Sequence, residues 1–559
     1  IFPFVSVTEC MYTIVFGVIV LSVVSIAWLR NKTKDNKDTY TLPVIKDIHL
    51  PSDLVRTKFT AKLQNGRETT IYLDRNYIYW SISHNEWNVL TYEKLSGCKL
   101  EKKKLKESLV TVFGWFSPEN EIIDYAKEDG KEEEPTIDHG GRSTFQHLVG
   151  WIGEMVSVLS WQVIRLAKSI VVGSNAKNRL ISSVNEFYFV SGKIEAVRFH
   201  RILLQCCSNN ASSVIEKASK SATYIPELPE KRKAICIVNP LSGNRLAASM
   251  MQDLQPFIES ASDLIEFTIQ FTTHSQHAKE IAAELNKDEY NVVICVGGDG
   301  TPFEVVNGIM SRKDGEDLIR NITIGIIPAG TGNGITSSLG IVSPQQAILR
   351  IIHGNTKQFD VMKIEQENNE NFEAIYSLLQ VSYGMMSDVD FDSEKVRIIG
   401  DLRFVLFAFY RLVFLRRYPV TITLDANTKK KVQQPHNLVV WEDVPEKDSH
   451  INENTETVWC GGMNTSWLAA DFNCSPDAEV DDGLIHFLHL PPIGYISLFT
   501  FFFEMNSGKH MRYPFDFYTT KKFSLNPKGY PNVPCRLDVD GECIPILENQ
   551  IVHVETLPG

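Results

Sequence analysis

The sequence lacks the cysteine spacings of metal cages and disulfide frameworks. Its ten cysteines include no C-x-x-C pair, and only Cys206 and Cys207 are adjacent. Zinc cages and disulfide-rich scaffolds normally show such spacings. The sequence therefore predicts no metal-ligand set of its own, and scattered free cysteines are typical of a reducing, cytosolic compartment.

Positive charge is also in short supply. The formal net charge is −12, because 56 lysines and arginines face 68 aspartates and glutamates. Nucleic acid backbones are bound by a surplus of basic side chains, so this balance argues against a nucleic acid partner. The pattern G-x-x-x-x-G-K-[ST] is absent as well, which excludes an ordinary P-loop enzyme.

Long uncharged runs are rare, but one stands near the N-terminus, at residues 11–29. Four basic residues follow it directly: Arg30, Lys32, Lys34 and Lys37. About 20 apolar residues cross a bilayer as a helix, and a basic flank on the C-terminal side predicts that the following chain stays cytoplasmic. Residues 1–37 are therefore predicted to be a single membrane anchor, with the remainder in the cytosol. An uncleaved signal-like segment and a buried helix are the alternatives.

Residues 38–230 are predicted to form a small accessory region of α+β character. The segment 59–90 alternates apolar and polar residues between turn signals, which predicts antiparallel strands. Residues 119–142 are highly charged and are predicted to be a solvated loop. Residues 148–172 are apolar-rich and either pack on a core or lie on a membrane surface. The order of these elements resembles a pleckstrin-homology-like domain with a long insertion.

The remaining chain is predicted to hold two larger domains. Short buried strands alternate with helices over residues 231–375, a pattern typical of a parallel sheet with crossover helices. Residues 376–559 instead show short strands interrupted by one long helix, which predicts a mostly β domain. The expected architecture is α/β plus β: a Rossmann-like α/β domain followed by a β-sandwich-type domain.

Three glycine-bearing turns follow strands of the α/β part. They are Asn239-Pro240-Leu241-Ser242-Gly243, Gly297-Gly298-Asp299-Gly300-Thr301 and Pro328-Ala329-Gly330-Thr331-Gly332-Asn333. Glycines after a strand let backbone N–H groups approach phosphate oxygens, and the positive end of a following helix strengthens that contact. Three such turns in order predict a phosphate-binding site.

Asp299 is the predicted general base. It lies between glycines at the C-terminal edge of a buried strand, where the active sites of open α/β sheets are found. A carboxylate there can take the proton of an attacking hydroxyl during phosphoryl transfer; its alternative role is to cap a helix or form a turn. Glu304 and Asn307 follow on the first turns of the next helix, close to the same loop.

These motifs resemble the diacylglycerol kinase catalytic superfamily, which includes sphingosine, ceramide and diacylglycerol kinases. The resemblance rests on GGDGT at residues 297–301, EVVNG at 304–308 and PAGTGN at 328–333. It predicts a kinase that transfers the terminal phosphate of ATP to a lipid hydroxyl.

A second group of motifs narrows the resemblance to sphingosine kinases. The segment DVDFDSEKVRIIGDLR at residues 388–403 has their Asp-Val-Asp, their Ser-Glu-Lys and their two arginines six apart. DDGLIHF at 481–487 and VDGE at 539–542 follow in the same order as in that family. The resemblance covers roughly residues 232–559.

The resemblance implies ATP with Mg²⁺, a sphingoid-base lipid as substrate and a membrane surface as partner. The residues that it implies for ATP contacts are Asn239, Pro240, Leu241, Thr272, Thr273, His274, Ser275, Gln276, Glu304, Gly330, Thr331, Gly332, Arg397, Arg403, Asp540, Gly541 and Glu542. Those that it implies for the lipid's head group and reacting hydroxyl are Gly297, Gly298, Asp299, Gly300 and Asp390.

Asp390 is expected to decide which lipid is accepted. An ammonium-bearing lipid needs a carboxylate that pairs with its charge, and a diacylglycerol does not. A ceramide or diacylglycerol kinase is the alternative among enzymes, and a membrane-tethered lipid sensor without catalysis is the alternative from another class. The acceptor's tail needs an apolar channel, for which the helical run 404–415 and the run 496–505 are candidates.

Two positions depart from the family pattern. Gln380 stands where a serine is usual, ten residues before Asp390, and Leu241 stands where a basic residue is common after Asn-Pro. The first departure affects the expected head-group contacts and the second affects the expected nucleotide contacts.

Overall fold

The computed structural model describes most of the chain from residue 181 onward and a set of strands before it. The described residues are 45–46, 57–63, 68–73, 77–83, 86–91, 95–104, 107–116, 181–189, 193–207, 211–221, 223–242, 247–369, 372–393, 402–425, 427–434, 438–445, 450–513, 515–529 and 535–559. The predicted anchor at 11–29, the charged stretch 119–142 and the apolar stretch 148–172 lie outside these residues.

The accessory region contains an antiparallel sheet of eight strands in the order β1-β5-β4-β3-β2-β8-β7-β6. Two helices, α1 and α2, follow the sheet. The elements are β1 (Ile45–Lys46), β2 (Thr57–Lys62), β3 (Glu68–Leu73), β4 (Tyr77–Ser83), β5 (Glu86–Thr91), β6 (Leu95–Lys104), β7 (Glu107–Phe116), β8 (Ile181–Phe189), α1 (Lys193–Gln205) and α2 (Ala211–Lys220). Helix α1 packs on the sheet through Phe199, whose ring centroid lies 4.9 Å from that of Phe59.

The central domain is a four-stranded parallel sheet in the order β10-β9-β11-β12. Its strands are β9 (Arg232–Val238), β10 (Ile265–Phe271), β11 (Val292–Gly297) and β12 (Thr323–Pro328). Its helices are α3 (Ala247–Ser260), α4 (His277–Ala283), α5 (Gly300–Met310), α6 (Gly315–Asn321), α7 (Gly334–Ser338) and α8 (Pro344–His353). Every residue of β11 is buried, as expected for an inner strand covered on both faces.

The C-terminal domain consists of two antiparallel sheets and a small two-stranded ribbon. The six-stranded sheet has the order β14-β13-β28-β25-β16-β19 and the eight-stranded sheet the order β18-β17-β24-β23-β20-β15-β26-β27. The strands are β13 (Val361–Gln366), β14 (Ile375–Ser377), β15 (Gln380–Gly384), β16 (Tyr418–Leu424), β17 (Lys429–Gln434), β18 (Leu438–Asp443), β19 (His450–Thr457), β20 (Trp459–Met463), β21 (Trp467–Ala469), β22 (Phe472–Asn473), β23 (Ile485–Leu490), β24 (Asp516–Thr520), β25 (Lys522–Pro527), β26 (Arg536–Val539), β27 (Glu542–Pro545) and β28 (Val552–Leu557). The helices are α9 (Met385–Ser393), α10 (Leu402–Val413) and α11 (Tyr495–Glu504), followed by 3₁₀ turns at Met505–Ser507 and Lys509–Arg512.

The two large sheets share one hydrophobic core. Val420, Leu525 and Val554 of the six-stranded sheet belong to the same buried cluster as Phe487 and Leu537 of the eight-stranded sheet. Two antiparallel sheets that face each other over a common core form a β-sandwich. The predicted architecture of a Rossmann-like α/β domain followed by a β-sandwich-type domain is confirmed.

The three parts of the chain pack against one another. One cluster of buried hydrophobic residues runs from Phe199 of the accessory region to Leu254 and Ile348 of the central domain. Phe303 on α5 belongs to the core of the sandwich. The central domain is therefore in contact with both of its neighbours.

Among the eight cysteines whose side chains are described, none forms a disulfide and seven are buried. Among the described residues, no helix has the length and hydrophobicity needed to cross a bilayer.

Candidate active site

The predicted site residues of the central domain follow the carboxyl ends of its strands. Asn239 follows β9, Thr272 follows β10, and the Gly297-Gly298 turn ends β11. The third glycine turn begins at the end of β12. Since parallel strands end at the same edge of a sheet, these loops line one crevice, the usual place for a ligand in open α/β folds.

The second and third glycine turns touch each other through their backbones. Gly330 N donates to Gly297 O at 3.1 Å. A methyl group added at Gly330 would overlap the Cα atom of Gly298. Asn333 closes the third turn, because its Oδ1 accepts from Gly330 N at 3.1 Å and its Nδ2 donates to Gly330 O at 2.8 Å. The glycines are required here because no side chain fits between the two turns.

Asp299 lies in the interior of this pair of turns. Its Oδ2 accepts from Gly334 N at 2.8 Å and its Oδ1 accepts from Ile335 N at 3.1 Å, so it caps the start of α7. Burial raises the pKa of the Asp299 carboxyl to about 6, and the negative charge of Asp540 adds to this, while the two backbone donors oppose it. A carboxyl with such a pKa is mostly ionised near neutral pH and can accept a proton.

Glu304 fixes the loop after β10. Its Oε1 accepts from Gln276 N at 3.2 Å and its Oε2 accepts from Ala278 N at 3.1 Å, which caps helix α4. Thr273, His274, Ser275 and Gln276 are exposed at the sheet edge, whereas Thr272 is buried. The structure thus brings the predicted residues 272–276 and Glu304 together.

The first turn lies next to these loops. Asn239 Oδ1 accepts from Leu241 N at 3.1 Å, which forms an Asx turn around Pro240. The Leu241 side chain is exposed. The Ser242 hydroxyl lies near the second glycine turn, because a methyl group added at Gly297 would come within 3.2 Å of Ser242 Oγ.

The turn between β26 and β27 carries the last predicted ATP residues. Asp540 has a positive φ of 54° and a buried carboxylate that accepts from Ser377 Oγ and from Leu378, Leu379 and Gln380 N, at 2.7 to 2.9 Å. These bonds join the turn to the start of β15. Glu542 approaches the second glycine turn, with its Oε1 3.9 Å from a methyl group built on Gly300.

Asp390 lies on α9, half-buried, and it is not alone. Its carboxyl group shares a hydrogen bond with that of Asp538 on β26. Asp538 is a residue that sequence reasoning missed. Its position on the strand that leads directly into the Asp540–Glu542 turn was the available signal.

The turn between β26 and β27 links the loop of Asp299 to the helix of Asp390. Gln380 bonds Asp540 through its backbone N–H and Asp538 through its side-chain amide. Glu542 approaches Gly300, which follows Asp299, and Arg536 on β26 lies 3.7 Å from the ring centroid of Phe391, which follows Asp390.

Asp388, the first acid of the Asp-Val-Asp motif, has a structural role that the sequence did not reveal. It accepts from Arg416 Nη1 at 2.7 Å and from the Tyr418 hydroxyl at 2.5 Å, and Arg411 lies 3.6 Å away. Arg411 also pairs with Asp392. These contacts tie α9 to α10 and to β16.

Three further predicted residues have different outcomes. Asn307 donates to Tyr376 O at 2.8 Å and accepts from Tyr376 N at 2.9 Å, so it joins α5 to β14. Arg397 lies outside the described residues. Arg403 lies on α10, and its side chain is outside the described part of the structure.

The glycine turns suit the phosphates of a nucleotide. The Thr301 hydroxyl is buried beside the second turn and has no hydrogen-bond partner among the described residues, so a hydroxyl donor is available beside this turn. Within the same residues, no cluster of three or more His, Cys, Asp or Glu side chains could hold a metal ion.

Comparison with known proteins identifies the class. Residues 233–364 match the model of the diacylglycerol kinase catalytic domain. The matched segment includes the three glycine turns and Asp299. The chain is a lipid kinase with a catalytic domain of this type.

Within that superfamily the chain is similar to sphingosine kinases. It is 28% identical to sphingosine kinase 1 of Arabidopsis thaliana over 355 residues, which is 58% of this chain and 71% of the relative. It is 26% identical to human sphingosine kinase 1 over 340 residues, which is 56% of this chain and 87% of the relative. A crystal structure of a diacylglycerol kinase from Bacillus anthracis covers 59% of this chain and 94% of its own, with 20% identity and a TM-score of 0.39.

Proposed function

We propose that this lipid kinase phosphorylates the primary hydroxyl of sphingosine and related sphingoid bases, with ATP as phosphate donor. The observation that supports this most is the position of Asp299, a partly buried carboxyl beside the glycine turns that is held by Gly334 N and Ile335 N. Asp390, on helix α9 beside β26, offers negative charge to an ammonium group.

Asp299 acts as the general base. Its carboxylate takes the proton of the lipid's primary hydroxyl, the hydroxyl oxygen attacks the terminal phosphorus of ATP, and ADP leaves. The bonds from Gly334 N and Ile335 N hold the carboxylate in place before the substrate arrives. A preorganised base needs no rearrangement at the moment of transfer.

The nucleotide is held along the sheet edge. The turns at 239–241 and 330–332 and the loop 272–276 are proposed to line the phosphate site, and Glu304 holds the loop 272–276 through its bond from Gln276 N. Arg397, Arg403 and the turn 540–542 complete the proposed ATP site. Mg²⁺ bound to the phosphate oxygens would neutralise developing charge.

The lipid's tail is proposed to lie along helices α10 and α11. Phe407 and Leu412 of α10 and Phe502 of α11 pack on the edge of the sandwich core. On the outer side of the α10 end, Tyr410 and Phe414 are 44% and 49% exposed, with the basic Arg417 close by in the chain. Exposed aromatic and basic side chains together favour contact with a membrane surface.

The test compares wild type with Asp299→Asn on sphingosine, ceramide and diacylglycerol in parallel, with labelled ATP. We expect wild type to label sphingosine and the variant to lose about 10²- to 10⁴-fold in kcat, since a positioned base contributes on that order. The wild-type kcat should also fall as the pH drops below about 6, because Asp299 becomes protonated. Asp471→Ala, at an exposed acid, is the matched control and should behave as wild type.

Near-normal turnover by Asp299→Asn would remove the base from the mechanism. Preferential labelling of ceramide or diacylglycerol would move the enzyme to another branch of the superfamily. Lack of any labelled lipid would favour a sensor without catalysis.

A further inference from the structure

Two acidic side chains meet in the interior next to the proposed head-group site. Asp390 on α9 and Asp538 on β26 share a hydrogen bond between their carboxyl groups. Asp538 is only 1% exposed. Two neighbouring carboxylates disfavour each other's ionisation, so the pair favours a state that keeps one proton.

Strand β15 and the turn after β26 hold Asp538 in place. Gln380 Nε2 donates to Asp538 Oδ2 at 2.6 Å, and Ser382 Oγ lies 3.4 Å from the same oxygen. Gly541 N donates to Asp538 Oδ1 at 2.9 Å. The Asp538 carboxyl is therefore fixed by neutral donors and by Asp390, without a basic partner in these contacts.

The side-chain amide of Gln380 contains a second polar atom that can accept a hydrogen bond. Its Oε1 atom is buried and has no hydrogen-bond partner among the described residues. A buried acceptor without a donor costs about 1–3 kcal/mol, and a ligand that brings a donor removes that cost. An ammonium group brings three N–H donors and a positive charge.

We infer that Asp538 and Gln380 join Asp390 to form the receptor for the protonated amine of the lipid, with Asp538 as a positioning residue that acts through Asp390. This inference rests on the proposed function. It assigns a role to Gln380, which departs from the family pattern, and to Asp538, which the sequence did not single out.

The groups around the pair favour the shared proton. Burial, followed by the charge and hydrogen bond of Asp390, raises the pKa of Asp538 well above its usual range, and Asp540 adds to this. Cys543 faces Asp538 across the β26–β27 pair, and Arg536 is bonded to the Cys543 side chain. The donation from Gly541 N opposes the rise.

Substrate binding should change the protonation of the Asp390–Asp538 pair. The positive charge of a bound ammonium favours ionisation of the second carboxyl, so it lowers the pKa of the pair. A site that releases a proton on binding gains affinity as the pH rises. Wild type should therefore bind the amine more tightly at higher pH, relative to a variant in which position 538 carries no proton to release.

The experiment measures KM for sphingosine in mixed micelles between pH 6 and 9, for wild type, Asp538→Asn and Asp538→Ala. Asparagine keeps a donor towards Asp390, so the KM of Asp538→Asn for sphingosine at pH 6 should lie within about threefold of the wild-type KM. The ratio of the variant's KM to the wild-type KM should then increase severalfold between pH 6 and pH 8.5. Alanine removes the contact and should raise KM for sphingosine about tenfold at pH 6, with a ratio to wild type that grows with pH. The increase in KM for ATP should be smaller, although Gly541 N loses its acceptor. Ionisation of the lipid amine itself affects all three proteins alike.

Gln380→Met provides a second variant of similar size, which should raise KM for sphingosine severalfold even if Asp538→Ala does not fold. An unchanged KM for sphingosine in both Asp538→Ala and Gln380→Met would overturn the inference, as would a wild-type to Asp538→Asn ratio that does not vary with pH. Equal increases in KM for sphingosine and ATP would indicate general distortion and count against it. Failure of wild type to phosphorylate sphingosine would instead overturn the proposed function, and the inference with it.

Discussion

His510 is a buried histidine in the second 3₁₀ turn that makes the sandwich sensitive to acid. It is fully buried, its Nε2 is bonded to Cys474 O at 3.0 Å, and its ring contacts Phe501 and Phe515. Burial lowers its pKa from 6.5 to about 4. Because the folded-state pKa is depressed, the neutral ring favours the folded state above pH 6.5, and this stability is lost as the pH falls from 6.5 towards 4.

We expect the free energy of unfolding to decrease by roughly 3 kcal/mol over that interval from this residue alone. His510→Phe should be less stable at pH 7, where the bond to Cys474 is lost, but its stability should vary less between pH 6.5 and 4. Urea unfolding at a series of pH values measures both effects. An unchanged pH dependence in His510→Phe would show that this histidine is not the source of the acid sensitivity.

The role of a residue could be predicted from the sequence where it depends on a local motif. Roles that depend on contacts between distant parts of the chain could not be predicted. Asp299 stands out because glycines flank it after a buried strand. Asp538 did not, because its partners, Gln380 and Asp390, are about 150 residues away in the chain. The structural role of Asp388 depends in the same way on Arg416 and Tyr418, which no local pattern connects to it.

The pair of glycine turns is the element on which nucleotide binding is proposed to depend. Gly330→Ala forces a methyl group against the backbone of Gly298, so the two turns must separate. We expect KM for ATP to rise about threefold to tenfold and stability to fall by about 1–3 kcal/mol, as for other overpacked sites. Steady-state kinetics with varied ATP and a melting curve measure these changes.

Gly494→Ala is the matched control for that substitution. Gly494 precedes α11 with a φ of −60°, and an added methyl group meets nothing within 4 Å. It should leave KM for ATP unchanged. An unaltered KM in Gly330→Ala as well would mean that the contact between the two turns does not shape the nucleotide site.

Elements of the central domain could be predicted closely because buried strands and amphipathic helices leave distinct periodic patterns. The alternation of short buried strands and helices expected over residues 231–375 is present, as in helix Ala247–Ser260 and strand Val292–Gly297. Strand pairing in the sandwich could not be predicted. Strand β13 pairs with β28, almost 200 residues later, and such pairing depends on the whole chain rather than on local composition.

At the scale of the whole molecule, the accessory region and the central domain share one core. Phe199 of α1 is fully buried and belongs to the same cluster as Leu254 and Phe257 of α3. Strand β6 also runs beside α3 and α8. The sequence pattern indicated a domain boundary at residue 231. It did not indicate which surfaces of the two regions pack against each other.

A shared core predicts that the two regions unfold together. Phe199→Ala should lower stability by about 3–5 kcal/mol, the usual cost of removing a buried aromatic side chain, and differential scanning calorimetry should show the transition of the central domain shifting with it. Ile194→Ala on the same helix, at a side chain that is 71% exposed, should change stability by no more than about 0.5 kcal/mol. If Phe199→Ala produced a separate early transition and left a later one at the wild-type temperature, the accessory region would be an independent unit. A joint shift would make it a required part of the folded kinase, because removing it would expose Leu254 and Phe257 to water.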